Sequence, residues 1–145
     1  MMQWNKKTFY AIEAVLYIAY NSVSDCISSK EIAQKQNMLP RYLEQIMQRL
    51  VKHGILKGMR GPSGGYLLAR EKRRISLADI CRAMSEEDIA LPPTPLGDKV
   101  VGPAMKELQE KFLKQMEEVT VNDLCEQAND RSVRKTTKEN NNFII

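Results

Sequence analysis

Apolar residues recur at three- and four-residue steps from the start of the chain, where Phe9, Ile12, Val15, Leu16 and Ala19 share one face of a helix predicted over residues 6–20. The small polar run Asn21-Ser22-Val23-Ser24-Asp25 competes for backbone hydrogen bonds and ends that helix. Ser28 and Glu31 then have the spacing of a capping box, which predicts a short second helix over residues 29–36. After a tight connection at Asn37-Met38-Leu39, Pro40 suits the first turn of a third helix, where its missing N–H costs nothing. This helix is expected to reach His53, with Leu43, Ile46, Met47 and Leu50 facing inward and Gly54 as its left-handed stop. The short connection between these two helices is that of a helix-turn-helix.

Beyond Gly54 the period changes. Residues 55–59 and 66–69 are short apolar-rich runs separated by Arg60-Gly61-Pro62-Ser63-Gly64-Gly65, whose glycines permit the backbone angles of a hairpin reversal, so a wing is expected. Ser76 and Asp79 open another capped helix that runs through Met84, with Leu77, Ile80, Cys81 and Met84 on one stripe. From residue 85 to 97 the pattern lapses into an acidic cluster and Leu91-Pro92-Pro93-Thr94-Pro95, which cannot carry a regular helix. Val101, Ala104, Leu108, Phe112, Gln115, Met116 and Val119 then mark a long amphipathic helix, and Thr120 with Asp123 restarts a shorter one through Ala128. The fold class predicted is mainly α with a small β-hairpin wing. A winged helix-turn-helix spans residues 1–84, a linker 85–99, a helical element 100–128, and a charged, Asn-rich tail 129–145 is expected to be disordered.

Charge changes the picture more by its distribution than by its net value of +4. Residues 1–74 carry 13 Lys and Arg against 5 Asp and Glu, a balance of +8, whereas the remainder carries 9 against 13, a balance of −4. A basic first half points to a polyanionic partner. At 145 residues the chain suits one modest core, and no apolar run approaches the roughly 20 residues that cross a bilayer, so no membrane partner is expected. No secretory leader is legible at the start, which places the expected location in the cytoplasm. The single histidine, His53, sits at a helix end without a carboxylate or cysteine cluster, and no Ser-His-Asp or paired metal-ligand spacing occurs. Neither catalysis nor a cofactor is expected.

The third helix carries the informative chemistry. Arg41, Glu44, Gln45, Gln48 and Lys52 fall on its outward face, and together they can donate to guanine, pair with adenine and accept from the cytosine amino group. Arg49 and Lys52 are expected on phosphates, and Arg60 in a minor groove, with Gly61 and Gly64 allowing close approach of the loop to a sugar-phosphate backbone. A nucleotide-binding reading of Gly61 to Gly65 fails because the loop joins two strands instead of opening a helix. Double-stranded DNA is therefore the expected partner.

The run Tyr42-Leu43-Glu44-Gln45-Ile46, followed by Arg49-Leu50, Gly54-Ile55-Leu56, Arg60-Gly61-Pro62-Ser63-Gly64-Gly65-Tyr66-Leu67-Leu68-Ala69 and Ile75-Ser76-Leu77-Ala78-Asp79-Ile80, closely resembles the Rrf-two (Rrf2) family of transcription regulators. The resemblance covers about residues 1–125. It implies base reading by Arg41, Glu44 and Gln45 with Arg60 in the wing; Ser28 and Tyr42 are further candidate DNA contacts. It also implies a homodimer formed through Val101, Ala104, Leu108, Phe112, Met116 and Val119, so that two third helices meet successive major grooves of a pseudo-palindrome.

Several members of the family hold an iron–sulfur cluster through closely spaced cysteines between the post-wing helix and the long helix. Here that segment, residues 85–106, has neither Cys nor His, and Cys26, Cys81 and Cys125 are widely spaced, so no cluster and no metal are expected. Cys81 and Cys125 sit on apolar stripes and read as packing, whereas Cys26, in a polar turn before a helix, is a redox candidate. Cluster- or thiol-based sensing, a protein-interaction adaptor on the same scaffold, and an unknown protein or small-molecule effector stay open as alternatives.

Overall fold

The first helix, α1 (Lys6–Asn21), is capped by Asn5, whose side-chain oxygen accepts from the Thr8 N–H at 2.8 Å. In this computed structural model, which describes residues 5–22, 25–86 and 90–136, α1 is the hub. It packs against α3 (Pro40–Lys52), α4 (Leu77–Met84), α6 (Val121–Asp130) and strand β2 (Gly65–Leu68). So crowded a helix needs small side chains at its contacts: Ala11 and Ala14 are fully buried beside Val15 and Ile18. The buried face is therefore rotated from the one expected. Ile12, Leu16 and Ala19 lie on its half-buried flank, and Phe9 is 62% exposed.

Helix α2 (Ser29–Lys35) starts at Ser28, whose hydroxyl accepts from the Glu31 N–H at 3.1 Å. The Glu31 carboxylate does not return the bond as a capping box would. It accepts instead from the Tyr17 hydroxyl at 2.9 Å, tying α1 to α2, and burial is the main cause that pushes the Tyr17 hydroxyl up to about 12. The turn into α3 passes through Asn37 in the left-handed region, at φ 53°, and Pro40 occupies the first turn. Leu43, Ile46, Met47 and Leu50 are all fully buried, and Gly54, at φ 72°, ends the helix as expected.

Strand β1 (Leu56–Met59) pairs antiparallel with β2 in the register Leu56↔Leu68 to Met59↔Gly65. A further antiparallel bridge, Ile27↔Tyr66, adds a third, one-residue edge: Ile27 N–H donates to Tyr66 at 3.0 Å and Tyr66 N–H to Ile27 at 2.8 Å. A 3-10 turn, Lys72–Arg74, leads to α4. The N-termini of α4 and α6 are joined by another bridge, Ser76↔Thr120, and each of these residues forms a complete capping box, with Asp79 and Asp123. Four orphan N–H groups are thus satisfied within one junction, and two carboxylates face two helix dipoles.

Helical backbone begins earlier than expected. Thr94 acts as a cap, its hydroxyl accepting from the Gly97 N–H at 3.1 Å, and Pro95 stands in the first turn, so a π-helical turn Gly97–Val101 runs directly into α5 (Gly102–Glu117). The acidic cluster lies partly outside the described residues. The long apolar stripe also divides. Met116 is buried within its own chain beside Ala78 and Cys81, with Ile12, Leu77, Phe112 and Leu113 packed around them. Val119 follows the helix, its carbonyl accepting from the Leu77 N–H at 2.9 Å. Val100, Val101, Met105 and Leu108 remain exposed.

The chain after Ala128 is ordered further than expected. Asn129 and Asp130 form the last turn of α6, and the following residues lie along α1: Tyr20 donates its hydroxyl to the Val133 carbonyl at 2.5 Å, and the Thr136 N–H donates to Asn21 Oδ1 at 2.6 Å. Residues 137–145 are outside the described residues. Thr120→Ala removes the side-chain half of one capping box and is expected to cost about 1 kcal/mol, measured as a lower urea midpoint at unchanged slope.

Candidate nucleic-acid interface

With the inward face of α3 buried, Arg41, Glu44, Gln45, Gln48 and Lys52 are exposed together on the opposite face. Tyr42 lies between the two faces, half-buried, its ring edge-on to Tyr10 with centroids 6.0 Å apart. That contact seats the beginning of α3 on α1. Arg49 is arranged for a different task from the phosphate contact expected of it. Its Nε donates to the Ala83 carbonyl at 3.1 Å and its Nη2 to the Ser85 carbonyl at 2.8 Å, satisfying acceptors at the end of α4. His53 donates its Nδ1–H to the Arg49 carbonyl at 2.8 Å, as a helix-end residue.

The hairpin stands beside this face. Strand β1 packs against α3, and the charge of Glu44 adds to burial in raising the Tyr66 phenol above its ordinary range. Arg60 and Gly61 are exposed at the loop, where Gly61 has φ 112°. Gly64 donates to the Gly61 carbonyl at 2.9 Å, and any side chain on Gly64 would run into the Met59 carbonyl. Gly65 is held more tightly still. A Cβ there would strike the Ile27 carbonyl and lie 2.8 Å from the Ser28 amide nitrogen, so the hairpin reaches the start of α2 only because this residue has no side chain.

Ser28 is half-buried at that junction, with its hydroxyl engaged in the cap. Cys26 comes to the wing as well: its thiol donates to the Ser63 carbonyl at 3.0 Å. Lys57, exposed on β1, is not among the residues singled out by pattern, though it is a cation inside a hairpin already expected to touch an anion. The fastening of Tyr66 to Ile27 left no signal in sequence spacing, because the two are 39 positions apart.

The cysteines do not converge. Cys81 is buried on α4, its thiol pushed up to about 11 by burial, Cys125 is buried on α6, and Cys26 lies at the wing. Among the described residues no group of three His, Cys, Asp or Glu side chains is placed to hold a metal ion. The donor set does not fit an iron–sulfur centre within one protomer.

A buried-faced third helix set after a short helix and beside a two-stranded wing defines a winged helix-turn-helix regulator. Residues 4–127 match the family model described as Rrf2, iron-dependent transcriptional regulator, and the chain belongs to that family. It is similar to the HTH-type transcriptional regulator IscR of Cronobacter sakazakii, 36% identical over 85 residues, and to that of Xenorhabdus nematophila, 38% identical over 85 residues. Each alignment covers 59% of this chain and 52% of the relative, so the chain spans about half the length of the curated relatives it matches. Among solved structures, T. potens IscR is 27% identical with a TM-score of 0.74, covering 92% of this chain and 93% of that one. CymR of B. subtilis, titled a global cysteine regulator, is 25% identical with a TM-score of 0.67, covering 88% and 98%. These relatives are transcription regulators, not enzymes.

Gly65→Ala is expected to destabilise the protein by about 2 kcal/mol or more, because backbone must move to admit the methyl group. Urea unfolding measures this, and an unchanged midpoint would contradict the close approach to Ile27.

Proposed function

We propose that the chain is a sequence-specific DNA-binding transcription regulator that acts as a homodimer on a pseudo-palindromic operator, without an iron–sulfur cluster bound by its own cysteines. The observation that carries this reading is the shared exposed surface made by Arg41, Glu44, Gln45, Gln48 and Lys52 of α3 beside a hairpin bearing Lys57 and Arg60. Glu44 and Gln45 supply an acceptor and an amide for base edges, and Arg41 can reach guanine. Lys52, Lys57 and Arg60 contact phosphates or a minor groove, whereas Arg49 holds α4 and is left out of that set. Residues 1–84 form the DNA-binding unit, and residues 85–99 lead into the helices of 100–128.

Support for the dimer comes from the first half of α5. Val101 is 56% and Leu108 60% exposed, Ala104 and Met105 lie between them on the same face, and contiguous apolar exposure of this kind marks an interface. Phe112 is half-buried and can reach both sides, while Met116 belongs to the interior of one protomer. Support for the cluster-free reading is the separation of the three thiols. No helix among the described residues is long and apolar enough to cross a membrane, which is consistent with work on DNA in the cytoplasm.

If each protomer sets about four cations on phosphates, the logarithm of DNA affinity falls against the logarithm of salt with a slope of about −7. A shift assay over a salt series measures it, and a flat response rejects the reading. In the same assay Glu44→Ala relaxes discrimination at one base pair by about 1–3 kcal/mol, whereas Lys52→Ala weakens all duplexes alike. Leu108→Asp is expected to halve the mass seen in sedimentation while the circular dichroism of each chain is kept, because a carboxylate in an apolar interface is left unpaired.

A further inference from the structure

Helix α6 is closed by Ser132, which takes a left-handed backbone at φ 59°; its N–H donates to the Asn129 carbonyl at 3.1 Å, and the Val133 N–H donates to the Ala128 carbonyl at 3.0 Å. This reversal turns residues 133–136 onto the last turn of α1, where three contacts fasten them. The Tyr20 hydroxyl donates to the Val133 carbonyl at 2.5 Å, and the Thr136 N–H donates to Asn21 Oδ1 at 2.6 Å. The Lys135 ammonium stands 5.2 Å from the centre of the Tyr20 ring, a cation–π contact. The last turn of α1 has no basic side chain of its own, so Lys135 also brings a cation to the end of the helix where the dipole is negative.

From this turn a line of hydrogen bonds leads to the wing. Asn21, which holds Thr136 through its oxygen, donates its amide to the Tyr17 carbonyl at 2.9 Å, and the Tyr17 hydroxyl donates to Glu31 Oε2 at 2.9 Å. Glu31 lies in the first turn of α2, and its own N–H donates to the Ser28 hydroxyl. Ser28 follows Ile27, which exchanges two bonds with Tyr66 of β2. Helix α2 packs on α3, so the bond from Tyr17 is what refers its first turn to α1. The two ends of the line differ in strength. Tyr17 is 6% exposed, whereas the bond from Tyr20 to Val133 lies in water, where local opening is easy.

We propose that residues 133–136 are a strap: docked on α1 they hold α2 and the wing in the arrangement that binds DNA, and their release lowers DNA affinity. The consequence for DNA rests on the DNA-binding reading, whereas the coupling of strap to α2 does not, so the two are measured separately. Thr136→Pro removes the donor to Asn21 without touching α1, and Tyr20→Phe removes the donor to Val133 while keeping the ring under Lys135. Hydrogen exchange of the full chain carrying both substitutions, read by peptide mass spectrometry without DNA, is expected to be several-fold faster in residues 28–36 and unchanged in α4. In a Tyr17→Phe background the same two substitutions add nothing there, because the line is already cut. Duplexes that the wild-type chain enriches from a random-sequence pool bind the double variant several-fold more weakly at the same salt slope, and by linkage they slow exchange of residues 133–136 in the wild type. Unchanged exchange in residues 28–36, equal acceleration in α4, or full additivity with Tyr17→Phe overturns the strap, as does undiminished duplex affinity in the double variant. Enrichment of no duplex by the wild type is a failure of the DNA-binding reading and takes the affinity arm with it, while the exchange arm still decides the coupling.

Discussion

Burial of one face of α3 governs the rest of the molecule. Leu43, Ile46, Met47 and Leu50 are fully buried, and each such side chain stabilises by roughly 1.5–3 kcal/mol relative to exposure. Turning α3 about its axis by a single position would lift part of this set into water and drive Glu44 or Gln48 into the core, which is prohibitive. The opposite face is therefore presented at one angle, whatever its side chains are. Tyr42 against Tyr10 on one flank and Arg49 against the end of α4 on the other secure the same orientation. Arg49 shows how a cation on a reading helix can serve the scaffold: two carbonyls at a helix end need donors, and a long planar guanidinium reaches both.

The wing depends on a different constraint, the approach of two backbones. A two-stranded hairpin is marginal alone, and here it gains a third edge where Tyr66 exchanges two hydrogen bonds with Ile27. Ile27 immediately precedes the cap of α2, so the position of the hairpin is set by the helix-turn-helix itself. That coupling brings Arg60 and Lys57 to the side of α3 without any long side-chain bridge, and it explains why Gly65 has no room for a methyl group.

The second half of the chain is used twice over. The end of α5 completes a small core with α4, and Arg82 adds ion pairs to Glu117 and Asp79. The beginning of the same helix leaves its apolar residues uncovered. Residues 131–136 return to α1, where Tyr17, already bonded to Glu31 of α2, lies within hydrogen-bond reach of Thr136. Residues 131–136 are thus connected through two hydroxyl groups to the first helix of the helix-turn-helix.

Local signals carried a large part of this architecture. The period of α3, the Ser76 and Thr120 caps, Pro40 and Gly54 each act within a few residues of themselves, so the six helices and the hairpin were legible from spacing, as was the set of outward residues on α3. The Thr94-Pro95 start was equally local, a cap and a first-turn proline obscured by the prolines before it. Four features were not local. Phe9 shares a helical face with buried residues, yet what lies opposite that face is decided by α3, α4 and α6. Met116 and Leu108 belong to one stripe, and only the position of α4 separates them. Arg49 and Lys52 carry the same charge three residues apart, but only Arg49 meets the carbonyls at the end of α4. The order of residues 131–136 comes from hydroxyl and amide groups on α1, more than a hundred positions earlier. Periodicity specifies which side chains travel together, while the partner that each face meets is a matter of how the elements pack in space.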